Sequence, residues 1–303
     1  MYSGNINLVQ SSTAVSALCI SSLAALLTSA WLWKKTQLLK THPKPQKWVK
    51  VGTVGKLHIY PIKSCSAVNL EKAVLTQIGL KSTETTIMDR KFMVVDETRK
   101  QVTMVKFPRM SLIKPEIGER GKMTLSAPDM PSITFTVPKP DGNNERVCRN
   151  RLDPDIKALD CGNEVAQWLQ EYLGDTTLRL YFHHLNHTQR RLEPYMLKCP
   201  QFQQSDMGAF SNETAYLLLS EASVDELNKR LEKEVSHKNF RPNILISQVN
   251  EPFAEVNWSF VKIGNGNAIL KACVPCKRCP LTTVDQDAGV MSKDGEPLKT
   301  LRK

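Results

Sequence analysis

Three thiols stand at three-residue spacing in Cys273-Val-Pro-Cys276-Lys-Arg-Cys279, with two cations before the last of them and Pro-Leu-Thr-Thr-Val-Asp285 following. Thiolate is the nucleophile and soft-metal ligand of proteins, and Lys277 and Arg278 favour that charged form. Spacing alone leaves several uses open. The plainest is that these are small buried core residues, since free cysteine is among the most buried residue types. A closed zinc site needs further ligands from a second Cys-x-x-Cys or His pair, and none follows before Lys303. A redox disulfide between Cys273 and Cys276 fits the spacing but lacks a thioredoxin-like βαβ pattern beside it. Soft thiolate binding of a transition metal is the sharper alternative.

Three other short runs could cradle a phosphorylated cofactor: Tyr60-Pro-Ile-Lys63-Ser64-Cys65, Asp89-Arg90 and Asn239-Phe-Arg241-Pro-Asn243. Lysine supplies a point charge and arginine a bidentate fork. Singly each reads as an ordinary solvated turn, and their value lies in combination. His183, His184 and His187 have no acidic or second histidine partner in register, so they read as a polar loop rather than a metal site. A glycine-rich nucleotide fingerprint, an internal repeat and a heptad pattern are all missing.

The elements that must position these residues are mostly β. From Gly52 to Pro138, short β-branched or aromatic runs alternate with turn residues, and the pattern predicts strands over Lys56–Ile62, Ala73–Leu75, Phe92–Val95, Met110–Ile113, Met123–Ser126 and Ile133–Val137. Val165, Trp168, Leu169 and Leu173 recur at helical spacing over Glu164–Leu173, with Gly174 as the stop. Leu178–Phe182 predicts a further strand. A long polar loop from His183 to Asn212 then leads to the apolar run Tyr216–Leu219. A second helix follows, entered through Ser220-Glu-Ala-Ser223, with a capping box at Ser223-Val-Asp-Glu226. Asn243–Ser247, Phe260–Ile263 and Ala268–Cys273 predict the last strands, so the cysteine cluster sits at a strand end.

Ahead of this globule, Ala14–Trp33 holds twenty residues without a charge, long enough to cross a bilayer, with Trp31 and Trp33 suited to the interface. Six lysines from Lys34 to Lys50 follow, whereas Met1–Ala30 carries no charged side chain. The positive-inside bias then places the globule in the cytosol, where unpaired cysteines suit the reducing environment. Those lysines would meet anionic headgroups and account for part of the net charge of +11. A nucleic-acid partner would need a basic patch interleaved with aromatics, and none is present.

Taken together, Val51-Gly-Thr-Val54, Tyr60–Cys65, Met88-Asp-Arg90, Asp160-Cys-Gly162, Leu219–Ser223, Asn239–Asn243 and Cys276–Asp285 resemble the amidoxime-reducing components, molybdenum enzymes of the MOSC (molybdenum cofactor sulfurase C-terminal) family. The motifs stand in the family order and the resemblance covers nearly all of Val51–Lys303. It implies an α+β, β-rich fold: a MOSC-type N-terminal β-barrel domain over 51–180 and a MOSC domain over 181–303. These stand behind a tail over 1–13, one N-terminal transmembrane helix over 14–33 and a basic linker over 34–50. It also implies further strands beyond Lys303, making this a C-terminally short form.

The resemblance implies Mo-molybdopterin as cofactor, with Cys279 as the metal ligand. It places Lys63, Ser64, Arg90, Arg241, Asn243 and Arg278 on the pterin and its phosphate, and Ser211 and Asn212 at the metal side. Asn212, in a catalytic position with Cys279, stands where the family carries an acidic residue, and Lys277 replaces a small one. The activity implied is reduction of amidoximes, hydroxamic acids, hydroxylamines and nitrite. Electrons would come from NADH through a cytochrome b5 reductase and cytochrome b5, at the outer mitochondrial membrane or the peroxisome. The alternatives are a membrane-tethered carrier of the same cofactor without reductase activity, and a thiol redox protein using Cys273 and Cys276.

Overall fold

The computed structural model describes residues 45–85, 87–118, 121–151, 155–184, 196, 199, 201–203, 206–265 and 267–303. The anchor expected at 14–33 lies outside these residues; among the described residues no helix is long and apolar enough to cross a membrane. The remainder is β-rich with few helices, as expected.

One four-stranded sheet joins the two ends of the globule. Its strand order is Leu218–Ser220, Ile244–Ser247, Thr53–Ile59, Val68–Leu70. The first two are parallel, and between them run the helix Glu221–Asn228 and the 3-10 turn His237–Phe240. Thr53–Ile59 runs antiparallel to Ile244–Ser247, pairing Thr53 with Ser247 and Leu57 with Ile244. This directionality has a consequence for chemistry. The start of Leu218–Ser220, the start of Ile244–Ser247 and the end of Thr53–Ile59 all fall on one sheet edge. Residues 211–217, 239–243 and 60–65 therefore meet there, although they are widely separated in the chain.

A second antiparallel sheet has the order Phe92–Val95, Arg179–Phe182, Ile156–Asp160, Glu145–Cys148. The helix Asn163–Leu173 lies beside it, burying Val165, Ala166, Trp168, Leu169 and Tyr172 and ending on Gly174, whose φ of 72° lies in the left-handed region that favours glycine. The buried stripe meets Phe92, Leu178 and Leu180 in the largest core. Each such side chain contributes roughly 1.5–3 kcal/mol on burial. Asp160 grips Arg179 through two bonds of 2.6 and 3.0 Å, which fixes the turn into this helix. A third sheet, Lys114–Ile117, Lys122–Ser126 and Ile133–Thr136, packs against the same core.

Three local expectations are corrected. Met110–Ile113 is not a strand: a 3-10 helix spans Pro108–Leu112, begun by a proline whose missing N–H costs nothing in a first turn. Lys114–Ile117, which follows it, was masked in the pattern by Pro115 and is tolerated because it is an edge strand. The capping box at Ser223 is also displaced. Ser220 is the cap, with extended backbone and a side chain that accepts from the Ser223 N–H, so Ser223 lies within the first helical turn.

Candidate functional site

Backbone hydrogen bonds knit the first two cationic runs together. Lys63 N–H donates to Phe92 O at 2.8 Å, Phe92 N–H to Pro61 O at 2.9 Å and Arg90 N–H to Tyr60 O at 2.8 Å. Phe210 N–H donates to Arg90 O at 3.0 Å, which draws in the segment carrying Ser211 and Asn212. Ser64, Arg90 and Arg241 adopt left-handed backbone, with φ of 70°, 49° and 57°. Such conformations cost non-glycine residues about 1–3 kcal/mol each and gather at functional sites. Their shared position at the sheet edge fits that pattern.

The result is one cleft of about 1580 Å³. Lys63, Ser64, Arg90, Ser211, Asn212, Arg241, Asn243, Arg278 and Cys279 all line it, and so do Cys273 and Cys276. Every residue predicted for the site is thus brought to a single opening, though to different depths. Lys63 Nζ donates to Asn212 Oδ1 at 2.6 Å. Arg90 is held by the Asp89 carboxylate and donates to Asn243 Oδ1 at 3.2 Å. Asn243 is fully buried, and its amide also accepts from Leu217 N–H at 3.1 Å and donates to His58 O at 3.2 Å. Its side chain therefore braces Arg90 and the strands on either side of Ile244–Ser247 more than it faces the opening. Arg278 stacks over Phe240 at 5.0 Å.

Arg241 is the most constrained of these groups. It is 4% exposed, its guanidinium lies 4.0 Å over the Tyr60 ring and Nη1 donates to Gln286 Oε1 at 2.9 Å. Nη2 is buried without a partner among the described residues, and so is Ser64 Oγ. Burial pushes the guanidinium down to about 10, with Arg90 adding to the effect, and it stays charged at neutral pH. A buried cationic donor left unpaired is costly, and a ligand oxyanion in the cleft would satisfy it. This is the fit expected for a phosphate-bearing cofactor. The donor set and the nearby thiol of Cys279 are compatible with molybdopterin.

The cysteine segment runs irregularly from the strand Ile269–Lys271 to the 3-10 helix Pro280–Thr283, with Cys279 as the residue before that helix. Cys279 is half-buried, Cys273 likewise, and Cys276 exposed. The neighbouring cations do not make Cys276 the favoured thiolate. Loss of hydration pushes that thiol up and Arg278 only opposes the shift, although the residue's exposure leaves water to soften it.

Sequence reasoning passed over Tyr60, Asp89 and Gln286 as site groups, although all three adjoin or lie within the motifs. It also placed His183 in a polar loop, whereas His183 is fully buried, edge-on to Phe210 at 5.7 Å, with Nδ1 3.3 Å from Lys91 Nζ. The alternation that ends in Phe182 continues inward one residue further than its polarity suggests. Burial, then the charges of Lys91 and His184, push this imidazole down to about 3 from 6.5. Between those values the unfolded chain takes up a proton that the folded chain refuses, so stability falls as pH drops through that window. Urea unfolding at pH 7 and pH 4.5 should show a smaller loss for His183→Gln than for the parent; equal losses would contradict the assignment.

Comparison with known proteins gives two family matches: a MOSC N-terminal beta barrel domain over residues 51–176 and a MOSC domain over 206–303. Mitochondrial amidoxime-reducing component 1 of Homo sapiens is 37% identical over 273 residues, covering 90% of this chain and 75% of that one. Its namesake in Xenopus laevis is 35% identical over 286 residues, covering 94% and 79%. Mitochondrial amidoxime reducing component 2 of Homo sapiens is 36% identical over 256 residues, covering 84% and 72%.

Proposed function

The chain belongs to the amidoxime-reducing component family of MOSC-domain proteins, and on that premise we propose that it is a molybdenum-cofactor-dependent reductase of N-hydroxylated compounds. Its substrates would be amidoximes, hydroxamic acids and hydroxylamines, with nitrite as a further acceptor. Electrons would arrive from NADH through a cytochrome b5 reductase and cytochrome b5. The names of the relatives support a mitochondrial location, and residues 14–33 would anchor the chain in the outer membrane with the cleft facing the cytosol.

The observation that carries this reading is the convergence of a thiol, Cys279, and four cations, Lys63, Arg90, Arg241 and Arg278, on one cleft that also leaves Arg241 Nη2 and Ser64 Oγ unpaired. Arg241 and Ser64 would take the cofactor phosphate, Arg90 and Arg278 would flank the pterin, and the Cys279 thiolate would hold the metal. Bound molybdopterin supplies two-electron abstraction of the substrate oxygen, so that an N–OH group, two electrons and two protons give N–H and water.

This chain's residues do the positioning. Asp89 keeps Arg90 aimed along the cleft wall, and Tyr60 supplies the ring over which the Arg241 guanidinium sits. Asn212 cannot release a proton at neutral pH; its Oδ1 instead receives the Lys63 ammonium and holds that charge beside the opening. Glu213 also lines the cleft and acts electrostatically on Cys276, which makes it the acidic group nearest to hand on that segment.

The test is metal and pterin content of the purified full-length chain, followed by benzamidoxime reduction with NADH, the reductase and cytochrome b5. One molybdenum per chain with turnover is expected. Pterin without turnover would replace the reductase by a carrier, and the absence of both would overturn the reading.

A further inference from the structure

The two halves of the cleft are carried by different segments, and side-chain hydrogen bonds tie them together. Arg241 ends the 3-10 turn His237–Phe240, where its N–H donates to His237 O at 3.2 Å and to Lys238 O at 3.0 Å. Cys279 begins the chain that continues through Pro280–Thr283 and the short strand Val284–Asp285. Gln286 follows immediately. Its Oε1 accepts from Arg241 Nη1 at 2.9 Å, and its Nε2 donates to Lys238 O. A guanidinium can only donate and a carbonyl can only accept, so the amide has a single workable orientation.

Other bonds run in parallel. Asn239 Nδ2 donates to Thr282 O at 3.0 Å and Val284 O at 3.1 Å, and Lys238 Nζ meets Asp287 at 2.7 and 2.9 Å. The first two run from a buried side chain to the backbone, and the Lys238 pair lies exposed. Among the described residues, Gln286 is the protein side chain that receives a hydrogen bond from the Arg241 guanidinium, while its other end grips the turn that carries Arg241.

We propose that Gln286 is a positioning residue for anion recognition: it spends Nη1, leaves Nη2 of Arg241 turned to the cleft, and fixes that donor in register with Cys279. The proposal rests on the cofactor reading above, in which Arg241 holds the phosphate. The neutrality of the amide is essential. A carboxylate at 286 would form a short bidentate-capable pair with Arg241 and cancel the charge that the phosphate needs. Ligand retention should therefore fall out of proportion to stability, which a residue that merely filled space would not produce.

The experiment compares the full-length holoprotein with Gln286→Glu, Gln286→Met and Arg241→Met, reading the rate of pterin loss on dilution, the pterin and molybdenum content as purified, and Tm. Gln286→Glu is expected to lose pterin at least about tenfold faster, as for a lost hydrogen bond to a charged group, with Tm changed little because the ion pair with Arg241 offsets the lost Nε2 bond to Lys238 O. Gln286→Met, similar in length but unable to accept or donate comparably, should lose pterin faster at a slightly lower Tm. If Arg241→Met retains the pterin as well as the parent, the cofactor reading itself fails. Where Arg241→Met loses it but both Gln286 variants hold it at the parental rate, the role of Gln286 alone is refuted.

Discussion

Cys279→Ala should leave the chain folded while lowering molybdenum content and amidoxime turnover more than about a hundredfold, since even groups one step removed from a metal ligand commonly cost 10–100-fold. The fold does not depend on this sulfur. It is the Cys279 carbonyl that accepts from Thr282 N–H at 3.0 Å and Thr282 Oγ1 at 2.9 Å, bonds that alanine preserves. Cys276→Ala and Cys273→Ala are the controls. Cys276 is exposed, and the Cys273 thiol makes a long contact of 3.8 Å to Lys271 O. Both variants should keep most of their metal. The measurement is metal analysis and turnover on the three proteins side by side, with circular dichroism to confirm folding. A thiol-exchange protein would invert the order, surviving Cys279→Ser and failing with Cys276→Ser; that inversion would remove the metal assignment altogether.

What could be read in the sequence and what could not divides along physical lines. Local signals transferred well. The helix Asn163–Leu173 follows from apolar spacing and from Gly174, and Phe92–Val95 from a short run of consecutive apolar residues. The site residues were visible because cations, thiols and turn residues stood in recognisable motifs, and all nine line one cleft. Their depth was not visible. Asn243 and Arg241 stand two residues apart in one motif, yet one braces the sheet from inside and the other carries a buried donor with no partner among the described residues. That distinction arises from pairing between Thr53–Ile59 and Ile244–Ser247, nearly two hundred positions apart, which no local pattern encodes. Likewise His183 reads as polar by composition but is buried by packing on Phe210. The left-handed backbone at Arg90 is held by hydrogen bonds with distant segments, its N–H to Tyr60 O and Phe210 N–H to its carbonyl, so residue type gave no warning of it.

The same long-range dependence makes Asp89 the residue whose loss should be felt most widely. Asp89 is 2% exposed; Oδ1 accepts the Tyr60 N–H at 2.8 Å and Oδ2 pairs with Arg90. Tyr60 in turn carries two guanidinium groups, with Arg90 4.9 Å and Arg241 4.0 Å from its ring centroid. Asp89→Ala would leave a buried N–H unpaired and strip Arg90 of its counter-charge, a combination expected to cost about 3–5 kcal/mol. Against a total stability of about 5–15 kcal/mol, that is a large fraction. Asp89→Asn keeps an acceptor for Tyr60 N–H but not the charge, so its cost should be smaller, about 1–3 kcal/mol. Both variants release Arg90 from its position on the cleft wall, and both should purify with less pterin than the parent. Urea unfolding with pterin analysis checks the pair. If Asp89→Ala unfolds within about 1 kcal/mol of the parent, a difference typical of surface changes, then the carboxylate does not organise this edge of the sheet. Arg90 would then owe its left-handed turn to its backbone bonds with Tyr60 O and Phe210 N–H.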